Sequence, residues 1–233
     1  VVEIRNARDV TVRSLVSVAS GLVEHVLLGP VLADILLSRG ALPLHASAVQ
    51  TPSGIVALLG RSGQGKSTLA AALLRLGAPL HGDDLVAVSP STLEVPRGLG
   101  RIKLNPDVLA SMGATAADLP VVYDGIEKRA LTAAGDGAPI SMPLRAVYRI
   151  RDGAEVRIVP VDRRRALFEL FANCFRVEVE QHACGANEIL RRCSMVLERV
   201  PFFDFFRPRA LGSLFDSAGT LWGHACTVPV SST

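Results

Sequence analysis

Apolar positions along the chain follow two rhythms: short runs that alternate or stay apolar throughout, as strands do, and longer runs with the three-to-four spacing of one helix face. Residues 1–14 form a short polar-edged extended region. Helical spacing follows from about Ser14 to Leu28 and again from Val31 to Ser38, with Gly29-Pro30 separating two helices. After Gly40, residues 42–49 (LPLHASAV) alternate as one strand. A turn at Thr51–Gly54 leads into GIVALL (54–59), whose unbroken apolar run predicts a strand buried on both faces. The Ala/Leu-rich stretch from Ser67 to Leu76 predicts a helix stopped by Gly77, then an extended segment ending at Asp83-Asp84 and a strand over 85–88. Residues 92–105 read as two extended pieces around Arg97-Gly98-Leu99-Gly100, Pro106 opens a helix to about Met112, and 114–140 is loop-dominated. PLRAVYRIR (143–151) and AEVRIVPV (154–161) predict a hairpin across Asp152-Gly153, and helical patterns recur at about 163–175, 185–197 and 208–220.

The order strand, loop, helix, strand implies an α/β fold. At 233 residues, 49% hydrophobic and 20% charged, the chain can bury a substantial core as one main domain. The net charge of +3 is small and the longest basic run is Arg163-Arg164-Arg165, so no nucleic-acid partner is expected. Cys174, Cys184, Cys193 and Cys226 have neither CxxC spacing nor clustered histidines, which points away from a zinc or dithiol site and toward a reduced, cytoplasmic protein. Glu24, His25 and Asp34 interrupt the apolar stretch from Leu15 to Leu37, so amphipathic helices are expected there rather than a membrane span. The cluster Phe202, Phe203, Phe205 and Phe206 reads as core or as a contact between copies in a homo-oligomer.

The strongest chemical signal is Gly60-Arg61-Ser62-Gly63-Gln64-Gly65-Lys66-Ser67, followed by Thr68, a full match to the phosphate-binding loop G-x-x-x-x-G-K-[ST] between a buried strand and a helix. The glycines let the backbone curl so that successive amides point at phosphate oxygens, the helix N-terminus adds partial positive charge, Lys66 neutralises the β- and γ-phosphates, and Ser67 ligates Mg²⁺. The implied cofactors are ATP and Mg²⁺. Asp83-Asp84 ends a segment that a sheet brings beside this loop, where one carboxylate could hold Mg²⁺ and the other accept a hydroxyl proton. His45, on the strand before the loop strand, could orient a carboxylate there. Charge on a transferring phosphoryl group is commonly met by Arg or Lys, and Arg97, Arg101, Lys103, Lys128, Arg129 and Arg176 are candidates.

Together, LHASAV, GRSGQGKST, GDD and RGLG resemble the catalytic core of the HPr kinase/phosphorylase superfamily, whose kinases carry a His-containing strand before the phosphate loop and paired aspartates after it. RIKLNPDVLASMG (101–113), EKR (127–129), PLRAVYRI (143–150), NCFR (173–176) and VPFFDFFRPRAL (200–211) are similar to its shorter relatives associated with ribosomally made peptides, among them the lasso peptide kinases. Asn105 stands where those relatives usually have Trp, and Glu94 lies one residue earlier than the metal-associated glutamate of the bifunctional enzymes. The resemblance implies a P-loop kinase core of the HPr kinase type over 41–233, with a C-terminal helical segment and an N-terminal strand/helix segment (1–40) packed on it. It implies a serine kinase acting on a peptide or small protein, with Asp83 as base, Asp84 and His45 organising the site, Asp84 joining Ser67 at the metal, and Lys128 and Arg176 meeting phosphoryl charge. A carrier-protein kinase/phosphorylase and a nucleotide-dependent switch are the competing expectations.

Overall fold

A computed structural model of the chain describes residues 2–6, 8–13, 18–123, 125–132, 139–175 and 185–229. In chain order the strands are β1 (Val2–Arg5), β2 (Asp9–Val12), β3 (Leu42–Leu44), β4 (Ser47–Thr51), β5 (Gly54–Leu59), β6 (Leu80–Asp83), β7 (Val86–Val88), β8 (Glu94–Pro96), β9 (Arg101–Leu104), β10 (Arg129–Thr132), β11 (Ser141–Asp152), β12 (Arg157–Pro160) and β13 (Phe202–Arg207). The helices are α1 (Ser20–Val26), α2 (Leu32–Ser38), α3 (Lys66–Arg75), α4 (Pro106–Ser111), α5 (Arg163–Ala172), α6 (Ala186–Leu197) and α7 (Leu214–Thr227).

Every residue of β5 is buried, which is the environment its unbroken apolar run demands. Its side chains alternate: Val56 and Leu58 enter a core formed with α3 and α7, while Ile55, Ala57 and Leu59 enter a second core formed with α5, α6 and Leu37 of α2. The sheet between these two helical layers runs β12–β13–β11–β5–β4–β6, with β8 pairing to the start of β11. Pairing is parallel only at its centre, β5–β11–β13, and antiparallel for β12–β13, β5–β4, β4–β6 and β8–β11. The fold is thus mixed α/β, with a C-terminal helix as expected.

Three elements differ from the sequence expectations. The hairpin of 143–151 with 154–161 does not form, because β13 lies between β11 and β12, pairing parallel to the one and antiparallel to the other. β11 is buried from Ala146 to Ile150 and needs a neighbour that is apolar on both faces. FFDFFR supplies one, whereas β12, mostly exposed, belongs at the sheet edge. The single acid of β13, Asp204, sits opposite Arg149 and takes two hydrogen bonds from it, at 2.7 and 2.8 Å.

LPLHASAV is two strands rather than one: β3 pairs with β7 in a small separate sheet, and β4 enters the main sheet between β5 and β6. His45 therefore stands at the step between sheets and not within a strand.

Gly29-Pro30 does not separate two helices either. Residues Leu27–Val31 form one π-helical turn that joins α1 to α2, which accommodates the missing N–H and the ring of Pro30 without ending the helix. By length and composition alone, Ser20–Ser38 could cross a membrane. In this fold its Val31, Ala33 and Leu37 are buried, and Glu24 pairs with Arg101 at 2.8 Å.

Candidate nucleotide and phosphoryl-transfer site

Strand directions bring the site together. β4 is antiparallel to β5, and β6 is antiparallel to β4, so β5 and β6 run the same way and end at the same edge of the sheet. The phosphate loop leaves the end of β5, Asp83 closes β6, and β4 begins there with Ser47, just after His45. The result is a cavity of about 560 Å³ at that edge, lined by Ser62, Gly63, Gly65, Lys66, Ser67 and Thr68 of the loop together with His25, His45, Asp83, Asp84, Lys103, Val122, Tyr123 and Ile126 to Lys128.

The loop is shaped by positive φ at Gly60 (151°), Gly63 (79°) and Gly65 (84°), the region glycine enters without steric cost. Gln64 Oε1 accepts from the Arg61 backbone N–H at 2.7 Å, and Asn173 Oδ1 accepts from the Gly60 N–H at 3.3 Å. Lys66 is only 7% exposed, and its ammonium donates to the Gly60 carbonyl at 2.7 Å. Burial pulls its pKa down to about 8 against the opposing pull of Asp83 and Asp84, and Lys128 adds to the lowering. A buried ammonium held mainly by carbonyl dipoles is a site short of anions.

The two aspartates sit in different surroundings. Asp83 Oδ1 accepts from Ser47 Oγ (2.6 Å) and from Ser67 Oγ (2.9 Å), and Oδ2 accepts from the Lys103 backbone N–H (3.1 Å). Burial raises its pKa, partly offset by these three hydrogen bonds. Asp84 adopts φ 74°, a left-handed conformation uncommon outside glycine and a frequent mark of functional positions. Its Oδ2 accepts from Lys103 Nζ at 2.7 Å and its Oδ1 lies 3.3 Å from His45 Nδ1. Burial would raise the Asp84 pKa, but the bonds and charges of His45 and Lys103 outweigh it and hold the carboxyl well below the ordinary range.

No protein-family model matches the chain, and no curated protein does. Among solved structures, the Hpr(Ser) kinase/phosphatase from Coxiella burnetii aligns over 78% of this chain and 95% of its own, with 12% identity and a TM-score of 0.36.

Of the residues singled out from sequence, His45, Asp83, Asp84, Lys66, Ser67, Thr68 and Lys128 meet at one cavity, whereas Gly60, Arg61 and Gln64 line a neighbouring one. Arg176 lies outside the described residues. Ser67 reaches Asp83, and the Lys103–His45 contacts fall on Asp84, so the hydroxyl expected to join Asp84 at a metal is bonded to the other carboxylate. Glu94 instead accepts from Ser141 on β11, away from the cavity.

Three contributors carry little signal in the sequence. Lys103 is one basic candidate among six, yet among the described residues it alone of them engages both carboxylates, one by its backbone N–H and one by its ammonium. The alternation of RIKL, with Ile102 and Leu104 buried, turns Lys103 to the opposite face, toward the cavity. Ser47 looks like an ordinary strand serine, and His25 lies in an apolar helix. His25 Nδ1 is 3.2 Å from Lys103 Nζ, and its ring packs 5.0 Å from that of Tyr123. Burial first, and then Lys103, lowers the His25 pKa. Asn173, within NCFR, ties two parts of the site together: its carbonyl accepts from the His45 N–H at 2.8 Å while its side chain reaches Gly60.

Among the described residues no group of three or more His, Cys, Asp or Glu forms a metal cage. The Ser67–Asp83 pair fits a different kind of cation, one held by a hydroxyl, a single carboxylate and phosphate oxygens, as Mg²⁺ is in nucleotide sites.

Proposed function

We propose that this protein is a Mg²⁺-dependent kinase that transfers the γ-phosphoryl group of ATP to a serine hydroxyl of a peptide or small protein. The observation that carries the reading is the division of labour between adjacent carboxylates: Asp83 bonded to the phosphate-loop hydroxyl of Ser67, Asp84 held by His45 and Lys103 in the same cavity. A phosphate-loop site that only exchanged nucleotide would need the first pair and not the second.

The backbone amides of Ser62 to Ser67 cradle the phosphates, and Lys66 turns from the Gly60 carbonyl to phosphate oxygens. Ser67 and Asp83 would hold Mg²⁺, which would neutralise negative charge on the phosphates during transfer. Asp84 accepts the proton of the serine hydroxyl as its oxygen bonds to the γ-phosphorus and the bond to the β–γ bridging oxygen breaks, releasing ADP. His45 orients Asp84, and Lys103 and Lys128 meet the charge on the phosphoryl oxygens. The segments resembling peptide-maturation kinases make a precursor of a ribosomally made peptide, such as a lasso peptide precursor, the first acceptor to try.

Incubation with ATP, Mg²⁺ and serine-containing peptides, followed by mass, tests the reading. Gain of one phosphate by the peptide, absent with serine replaced by alanine and absent in Lys66→Ala, is expected. ATP consumption with no phosphorylated peptide across precursor and carrier-protein acceptors would refute it in favour of a nucleotide-hydrolysing switch.

A further inference from the structure

A second cavity, of about 680 Å³, lies on the other side of the phosphate loop and shares His45 and Ser62 with the first. Three arginines line it, Arg61, Arg149 and Arg151. Arg149 is neutralised within the fold by Asp204 and by Glu169, and the lining acid Asp152 is taken by Arg209 at 3.1 Å. Arg61 and Arg151 are different. Among the described residues neither guanidinium has a hydrogen-bond or ion-pair partner, although acids stand close by on the same wall.

Two uncompensated guanidinium groups facing one concavity repel each other and attract an anion, and their planar forks match carboxylates. The triphosphate has other partners, since Ser62, Gly63 and Gly65 to Thr68 of the loop, with Lys103 and Lys128, line the first cavity. The acceptor must reach Asp84 and the γ-phosphate, and His45, which lines both cavities, joins the second to them. We infer that this second cavity receives the acceptor peptide through an acidic flank, with Arg61 and Arg151 binding Asp or Glu side chains next to the target serine. The inference rests on the kinase reading for the identity of the ligand as acceptor, and it selects a substrate class: acidic rather than basic or apolar peptides.

Binding and transfer are measured separately on the full chain, with two synthetic peptides that differ only in Glu or Gln on both sides of the serine. Versions with alanine for serine report binding, by fluorescence anisotropy in the presence of nucleotide. The Glu peptide should bind roughly tenfold more tightly than the Gln peptide at low salt, with the preference shrinking as salt rises. Arg151→Gln should cut that preference roughly fivefold at unchanged nucleotide affinity, Arg151→Lys should restore part of it, and Arg164→Gln, at an exposed position of α5, should leave it intact. Equal binding of the two peptides overturns the inference, as does an Arg151→Gln protein, folded by circular dichroism, that loses nucleotide affinity but keeps the peptide preference. Transfer to both peptides with no preference sinks the inference and leaves the kinase standing. A preference in binding with no transfer keeps the acidic-peptide site and sinks the kinase.

Discussion

Replacing Asp84 by Asn separates the proposed base from everything else in the cavity. Asn tolerates a left-handed backbone better than most residues, so the φ of 74° at this position is preserved. The side chain keeps its shape and can still accept from the Lys103 ammonium, so the structural loss is that of an ion pair becoming a hydrogen bond from a charged donor, about 1 kcal/mol. The proton acceptor is lost entirely. General-base catalysis contributes about 10²–10⁴ in rate, and a carboxyl held below the ordinary range is a weak base at the lower end, so kcat should fall about 10²-fold, roughly 2.7 kcal/mol of barrier, while Mg·ATP affinity stays within about threefold. Asp83→Asn should behave differently. Turned so that its Oδ1 accepts from the Lys103 N–H and its amide donates to the Ser47 and Ser67 hydroxyls, the side chain keeps all three partners but loses its charge, so Mg²⁺-dependent nucleotide affinity should drop with little change in stability. Single-turnover phosphate transfer, alongside nucleotide titrations with Mg²⁺ and with a chelator, reads both effects. The family resemblance orders the pair the other way, with Asp83 as base. An Asp83→Asn protein that keeps Mg·ATP affinity and loses transfer, with Asp84→Asn fully active, would refute the assignment drawn from the contacts.

Further outcomes follow from other contacts. Because apo Lys66 titrates near pH 8 and must be charged to hold phosphates, ATP affinity should be flat below that pH and weaken by up to about tenfold per unit above it, with proton uptake on binding visible by calorimetry in two buffers. Asp204→Ala leaves the buried guanidinium of Arg149 without its main partner and should cost about 3–5 kcal/mol in a urea melt. Converting the pair together, Arg149→Met with Asp204→Leu, should recover most of that loss. Gly65→Ala puts a methyl into a left-handed position with Arg207 Nη2 2.5 Å away, so nucleotide affinity should fall at least tenfold for a loss of about 1–2 kcal/mol in stability.

Local patterns made the centre of this protein legible. GIVALL followed by GRSGQGKST fixes a buried strand, a curled loop and a helix start within a few residues, and each rests on local physics: burial on both faces, glycine at positive φ, amides at a helix end. Asp83-Asp84 could be set beside that unit from the order of elements and His45 from the family resemblance, and all three line the cavity. Which contact each makes was not readable, because it depends on β4 and β9, whose positions are tertiary. The same limit explains the false hairpin: 143–151 and 154–161 are adjacent in sequence and both strand-like, but only their unequal burial shows that β13 belongs between them. Lys103, Ser47 and His25 were hidden for a related reason. Each is an ordinary residue type in its own segment, Lys103 one basic candidate among six, and gains meaning only from the residues of distant segments that it meets.

The step at His45 explains why both faces of the phosphate loop are usable. Had LPLHASAV continued as one strand in the main sheet, His45 would have pointed to one sheet face, packed beneath a helix. Because β3 leaves for a second sheet, the chain crosses the sheet edge at His45, held there by its N–H on the Asn173 carbonyl and by the edge of the Phe175 ring. The imidazole thus lies on the rim between the two cavities, close to Asp84 on one side and within reach of whatever enters beside Arg61 and Arg151 on the other. Asn173, by reaching Gly60 as well, fixes that rim relative to the phosphate loop. Loss of the Asn173 side chain should therefore slow transfer by freeing Gly60 and, with it, the rim: in Asn173→Ala, kcat is expected to fall about tenfold, for a displacement of the rim by a fraction of an ångström. His45→Ala should fall at least as far, and the double variant no further than His45→Ala alone, since both act through the same orientation of Asp84. Additive losses in the double variant would show that Asn173 acts on the phosphate loop independently of His45.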